Sequence, residues 1–232
     1  MADMMTSDER RGAVLLDIDG TLVDSNYLHV DAWDRAFVAA EHPVEMWRIH
    51  RAIGMDSGKL IERLLGDDAA AVGEAVKAEQ GRLYMEMTDR LRVIKGAREL
   101  IQELSRRGHA VVLATSAPKD ELAVLLSVLD VGGAVDKVTS GEDVSAAKPD
   151  PGPIQIALER ASVSAEQAVM IGDSVWDVEA ANRAGVKSIG VLAGGYSEDE
   201  LLSAGASAVY DDVADLLEKL DQSPISTPRN SA

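Results

Sequence analysis

The 232-residue sequence contains no cysteine, which excludes disulfides, thiolate catalysis and cysteine-ligated zinc at the outset. It is short of positive charge as well: 23 lysines and arginines stand against 40 aspartates and glutamates, a formal net charge of −17. That excess repels nucleic acid and acidic membrane surfaces, so neither is expected as a partner, and an anionic ligand needs a locally positive or metal-loaded site. No apolar run approaches the length that spans a bilayer, and the opening MADMMTSDERRG has neither the basic end nor the apolar stretch of a secretory signal. The expected location is the cytoplasm. Internal repeats and low-complexity segments are also lacking. What is present, 46% apolar and 27% charged residues, is the composition of a globular protein, and the length suits one well-cored domain carrying a smaller insertion.

Five short apolar runs read as buried strands: AVLLDI from Ala13, HAVVLAT from His109, AVMIGD from Ala168, VKSIGVL from Val186 and ASAVY from Ala206. Helical patterns separate them where the spacing allows, for example GARELIQELSRRG, which stops at a glycine, and PIQIALERA, with Pro153 suited to a first turn. The alternation predicts an α/β fold, a Rossmann-like, doubly wound parallel sheet. Residues 25–92 break the rhythm, because four successive helical patterns occur there with no convincing strand. The expected organisation is a catalytic core of residues 1–24 and 93–222, an inserted α-helical cap of residues 25–92, and a flexible tail of residues 223–232, rich in Ser, Pro and Asn.

In a parallel sheet the ligand sits beyond the carboxyl ends of the strands, so the residues ending the strands carry the chemistry. Here they are Asp17-Ile18-Asp19-Gly20-Thr21 after the first run, Thr115-Ser116 after the second, and Gly172-Asp173-Ser174 with Asp177 after the third; a loop adds Lys148-Pro149. Asp17 and Asp19 are two apart, so both can face one side while Ile18 turns to the core. Carboxylates gathered near Asp173 raise one another's pKa unless a proton or a cation intervenes. A hard divalent ion with oxygen ligands resolves this, and magnesium favours a few carboxylates supplemented by water and phosphate. Taken singly, each residue has a plainer reading. DIDG could be a hairpin turn, Asp173 or Ser174 a helix N-cap, Thr115-Ser116 a capped strand-to-helix loop, Lys148 a solvated lysine, and His29 a helical histidine packed near Trp33.

Taken together, the segments DIDGTLVDS, VVLATS, KPDP and IGDSVWD occur in the order of the four motifs of the haloacid dehalogenase superfamily, and the chain resembles its phosphatase branch with a helical cap after the first strand. The resemblance extends to the phosphoglycolate phosphatase and β-phosphoglucomutase-like group and covers nearly the whole chain. It implies that Asp17 is the nucleophile that becomes an aspartyl-phosphate and Asp19 the general acid and base. It implies Mg2+ held by the Asp17 carboxylate, the Asp19 backbone carbonyl and Asp173, with Asp177 supporting the site. Thr115, Ser116 and Lys148 would bind the phosphoryl group, Lys148 also offsetting the charge on Asp17, and Gly20 would let the chain turn sharply beside it. His29 follows the first motif in a stretch similar to one in which a histidine couples cap closure to the acid/base.

The cap selects the leaving group while the core does the chemistry. Its expected selector is the loop AIGMDSGK, where Gly54 opens the turn and Asp56, Ser57 and Lys59 offer polar contacts, with Ser57 as an alternative cap of the following helix. The mutase-type cap carries an arginine shortly after this glycine, where Met55-Asp56-Ser57 stands here, so a hydrolase is favoured. The sequence thus predicts a magnesium-dependent phosphatase of a small phosphorylated metabolite, with a mutase or a non-catalytic phospholigand sensor as alternatives.

Overall fold

The computed structural model describes residues 12–141 and 148–225. The chain enters through β1 (Ala13–Leu16) and turns into the short β2 (Val23–Asp24). It then runs through four helices: α1 (Asn26–Ala39), α2 (Met46–His50), α3 (Ser57–Leu65) and α4 (Ala69–Met85). It returns through β3 (Arg92–Val93), which pairs antiparallel with β2, Val23 opposite Val93 and Asp24 opposite Arg92. This two-stranded ribbon is the only sheet joining the helical insertion to the rest among the described residues, and Asp24 lies exposed within it.

The remainder alternates: α5 (Ala97–Arg106), β4 (Ala110–Ala114), α6 (Lys119–Leu129), β5 (Lys137–Thr139), α7 (Gly152–Ala161), β6 (Ala168–Gly172), α8 (Val175–Arg183), β7 (Lys187–Val191), α9 (Glu198–Ala204), β8 (Ala208–Tyr210) and α10 (Val213–Glu218). Six strands form one parallel sheet in the order β5-β4-β1-β6-β7-β8. Leaving out the β2–β3 ribbon, that is the doubly wound order in which the chain starts in the middle, builds outward to one edge, then crosses back and builds to the other.

The pleat divides the core in two. Val14 and Leu16 of β1, Val111 and Leu113 of β4 and Ile171 of β6 face α5, α6 and α10, where Leu100, Ile101, Leu104, Leu125 and Leu216 are fully buried. Ala13 and Leu15, Ala110 and Val112, and Met170 face α7 and α8, where Ile154, Ala157, Ala180 and Ala181 meet them. A strand buried on both faces needs an unbroken apolar run, which is why AVLL has no polar residue before Asp17. In the insertion α1 packs chiefly on α4, and Trp33, Phe37, Val76, Leu83 and Tyr84 join the same core as the α5 side of the sheet.

Two expectations need correction. The sequence reading missed β5, three residues long at the sheet's edge with Lys137 exposed, too short for an apolar run to register. The tail does not begin at 223: Ser223 and Ile225 are buried, and the Ser223 hydroxyl donates to the Leu220 carbonyl at 2.8 Å and accepts from the Ile225 N–H at 3.3 Å. An isoleucine among prolines and serines still gains by covering apolar surface. Residues 226–232 of the expected tail lie outside the described residues. Ile225→Ala should therefore cost about 2 kcal/mol in urea denaturation, whereas a frayed end would lose less than about 0.5 kcal/mol.

Candidate active site

The sheet register places the acids. Leu16 is level with Leu113 of β4 and with Ile171 of β6, so Asp17, Thr115 and Asp173 emerge at one rim. β1 and β6 flank the point where the winding direction reverses, and the helices after them leave on opposite sides, opening a crevice between their carboxyl ends. The Asp17 N–H continues the ladder onto the Ile171 carbonyl at 2.9 Å, which fixes Asp17 beside β6.

Asp17, Asp173 and Asp177 each direct a carboxylate oxygen to a common space, the three oxygens within 4.8 Å of one another and all three residues buried. Lys148 is the cation among them. Only 1% exposed, it hydrogen-bonds the Asp17 Oδ1 and stands 2.7 Å from the Asp177 Oδ1. The solvated-lysine reading is thereby excluded. Burial opposes the Lys148 charge, yet the Asp17 and Asp177 carboxylates outweigh it and raise the ammonium's pKa. Burial, helped by Asp177 and Asp173, pushes the Asp17 carboxyl well up despite Lys148, and burial with Asp177 pushes Asp173 to about 7.

Each acid is separately held. Asp173 accepts from the Thr21 hydroxyl at 3.1 Å and from the Asn26 amide at 2.8 Å. Asp177 accepts from the Ser174 N–H at 3.2 Å and its hydroxyl at 2.6 Å, while Ser174 caps α8 by accepting from the Asp177 N–H. Asp173 is thus relieved of capping, and its carboxylate stays in the cluster. Gly20 has φ +73°, and a Cβ there would lie 2.3 Å from the Asn26 Nδ2 and 2.4 Å from the Asp173 Oδ2. Only glycine leaves that pair intact.

Asp19 also lines the cavity but keeps a different company. It accepts from the Ser25 hydroxyl at 2.6 Å and faces the His29 Nε2 at 3.5 Å. The His29 Nδ1 meets the Gln80 amide nitrogen at 3.3 Å, and the ring stacks on Tyr84 with centroids 3.9 Å apart. His29, on α1, is thus held by Asp19 and by Gln80 and Tyr84 of α4. Burial works against both charges, but His29 and Ser25 bring the Asp19 carboxyl below its usual value, and Asp19 carries His29 above its own.

Thr115 is buried and its hydroxyl oxygen accepts from the Ala117 N–H at 3.0 Å; the Ser116 Oγ is buried with no hydrogen-bond partner among the described residues. Neither caps α6, whose N-cap is Pro118. The cap loop closes over them. Gly54 has φ +91°, the Asp56 N–H donates to the Lys148 carbonyl at 3.0 Å, and the Asp56 side chain caps α3 by accepting from the Lys59 N–H at 3.1 Å, one residue before the Ser57 expected in that role. Together these groups line one cavity of about 390 Å3 between cap and core, to which Gly54, Met55, Asp56 and Ser57 contribute.

Sequence reasoning gave no role to Thr21, Ser25, Asn26, Gln80, Tyr84 or Glu121, all buried around the two groups of acids. Thr21, Ser25 and Asn26 follow the first motif directly and could have been suspected from that closeness. Gln80, Tyr84 and Glu121 come from α4 and α6, which only the fold brings near. The donor set of the cluster suits a hard cation. Three buried carboxylates face one ammonium, every available donor is oxygen, and burial has already made two of the acids reluctant to ionise alone.

Comparison with known proteins gives a consistent result. The family profile of haloacid dehalogenase-like hydrolases matches residues 14–191. The chain is similar to a phosphoglycolate phosphatase of Rhodospirillum rubrum, 34% identical over 214 residues and 88% of either chain, and to the pyrophosphatase PpaX of Bacillus velezensis, 26% identical over 80% of this chain and 85% of that one. Among solved structures it resembles a hydrolase from Pseudomonas syringae with a TM-score of 0.86 and 33% identity, covering 91% of this chain and 98% of that one.

The His29 geometry fixes the sign of a pH effect. A raised folded-state pKa gives stability that is present below the unfolded value of about 6.5 and lost as pH rises through the folded value. In an NMR titration His29 should therefore titrate above about 6.5. In Asp19→Asn, with burial left to dominate, it should fall below that; an unmoved His29 would dissolve the pair.

Proposed function

The chain belongs to the haloacid dehalogenase-like hydrolase family, and from that premise we propose that it is a magnesium-dependent phosphatase that hydrolyses a small phosphorylated metabolite, phosphoglycolate-like or sugar-phosphate-like, through an aspartyl-phosphate. The observation that carries this reading is the buried cluster of Asp17, Asp173 and Asp177 around Lys148 at the end of the central strand.

Lys148 engages the Asp17 Oδ1 and leaves the other oxygen as nucleophile. That oxygen bonds to phosphorus as the ester oxygen departs, and Asp19 protonates the departing alkoxide, drawing on the proton it shares with His29. In the second half Asp19 takes a proton from water, the water oxygen bonds to phosphorus, and the Asp17–phosphorus bond breaks to release phosphate. Thr115 and the Ser116 backbone N–H, with Lys148, hold the phosphoryl oxygens, positioning being most of what this chemistry requires. Mg2+ would be held by Asp17, Asp173 and the Asp19 backbone carbonyl with Asp177 in support, and it supplies charge neutralisation to the phosphoryl group. The loop of residues 54–57 lines the cavity beside these groups, and its Asp56 N–H is tied to the Lys148 carbonyl.

A hydrolase fits the cavity better than a mutase, because among the described residues no arginine lines it to hold a second phosphate. Location in the cytoplasm fits the same reading; no helix among the described residues is long and apolar enough to cross a membrane.

Asp17→Asn should lower kcat by about 10³-fold or more, measured as phosphate release with Mg2+, and full activity would remove Asp17 as nucleophile. Asp19→Ala should slow alkyl phosphates more than p-nitrophenyl phosphate, whose leaving group needs no proton; equal losses would contradict the acid role. EDTA should silence turnover and added Mg2+ restore it, whereas activity indifferent to EDTA would exclude the ion. Ligand-induced stabilisation without release across a panel of phosphometabolites would identify a sensor.

A further inference from the structure

The cavity is larger than a two-carbon acid phosphate fills; at about 390 Å3 it falls in the range of roughly 300–1,000 Å3 that accommodates drug-sized ligands. Its charges are unevenly placed. The phosphoryl side is floored by Lys148 and the carboxylate cluster, while the wall near His29 and Asp19 holds a different carboxylate, Glu121 in the first turn of α6. An acid in a first turn ordinarily serves the helix dipole from the surface, as the exposed Asp120 beside it does. Glu121 instead is 8% exposed and faces the cavity. No side-chain hydrogen bond reaches it among the described residues, and a buried carboxylate left so is costly.

The groups around it are acceptors or are already engaged. His29 uses Nε2 toward Asp19 and Nδ1 toward Gln80, so neither ring nitrogen is free to meet an anion. Gln80 spends its amide nitrogen on His29 and keeps an acceptor oxygen. Lys77 lines the same cavity, but it is exposed. Trp33, Ile53 and Leu60 give the remaining walls an apolar face. A carboxylated leaving group would bring a further negative charge against Glu121 and Asp19, and the one buried group there able to carry positive charge, His29, is already engaged by Asp19 and Gln80. A hydroxylated ring would offer its O–H groups to Glu121 and Gln80 and its apolar face to Trp33.

We propose that Glu121 is a specificity-determining residue that accepts a hydrogen bond from a leaving-group hydroxyl, and that the substrate is the phosphate ester of a neutral, polyhydroxylated alcohol of sugar size rather than of a carboxylated one. This rests on the phosphatase reading above, narrows it, and departs from the substrate for which the Rhodospirillum relative is named.

The test compares kcat/KM of the full chain and of Glu121→Gln, with Mg2+, on a panel of pentose and hexose monophosphates, on phosphoglycolate and on phenyl phosphate. The wild-type chain should prefer at least one sugar phosphate to phosphoglycolate. In Glu121→Gln that preference should fall about 10-fold or more, since a hydrogen bond to a charged acceptor is lost, with the loss mainly in KM for the sugar phosphate and a gain for phosphoglycolate. A wild-type preference for phosphoglycolate, or a variant that changes all three substrate types by the same factor or not at all, would overturn the proposal. Phenyl phosphate separates the two claims: turnover of it with no sugar-phosphate preference refutes the substrate class and the role of Glu121 alone, while no phosphate release from any member of the panel refutes the phosphatase reading itself.

Discussion

Three buried carboxylates compressed around a single ammonium form the constraint from which the rest of the molecule follows. Burial first, and the neighbouring carboxylates after it, hold the pKa of Asp17 and of Asp173 above the usual carboxylate range. A sheet interior tolerates it because the backbone leaves no alternative. Asp17 is tied to β6 through the Ile171 carbonyl, Asp173 is gripped by Thr21 and Asn26, and Asp177 is locked to Ser174 at the start of α8. Glycine guards the approach: a Cβ on Gly194, in the turn after β7, would lie 1.8 Å from the Asp173 Oδ2. The cluster is a site kept ready for positive charge, and a metal together with a phosphoryl group is the combination that uses both its negative potential and Lys148.

The insertion is joined to this cluster by more than its two-stranded ribbon. Asn26, the first residue of α1, bonds Asp173; the Asp56 N–H bonds the Lys148 carbonyl; the His50 Nε2 lies 2.9 Å from the Gly194 carbonyl. Further out, Arg51 pairs with Glu200 and lies over the Tyr196 ring, whose hydroxyl donates to the Arg51 carbonyl at 3.0 Å. Cap position and catalytic geometry are therefore one problem. Any displacement of the insertion has to break its contacts with Asp173 and Lys148.

The sequence made the core of this arrangement legible because its signals are local. An apolar run ending in Asp-x-Asp-Gly, followed by other runs ending in Thr-Ser and Gly-Asp, marks the rim of a parallel sheet directly. Whatever depended on one helix meeting another was hidden. His29 could be suspected, but Gln80 and Tyr84 lie some fifty residues away in the chain on α4, and Glu121 looks like any first-turn acid until α6 is placed against the cavity. Likewise the edge strand β5 and the docking of Ile225 follow from surfaces built by distant segments, and residues 137–139 and 223–225 carry too short a pattern to announce either.

The account is tested most directly by thermal unfolding of the wild-type chain and of Asp173→Asn at pH 8, each with and without Mg2+. The raised pKa of Asp173 makes its ionised form a burden on the folded state that is fully present at that pH. The account predicts that Mg2+ raises the wild-type Tm and that Asp173→Asn raises the metal-free Tm while losing the response to Mg2+. A variant less stable than wild type without metal, and still stabilised by Mg2+ to the same extent, would contradict it.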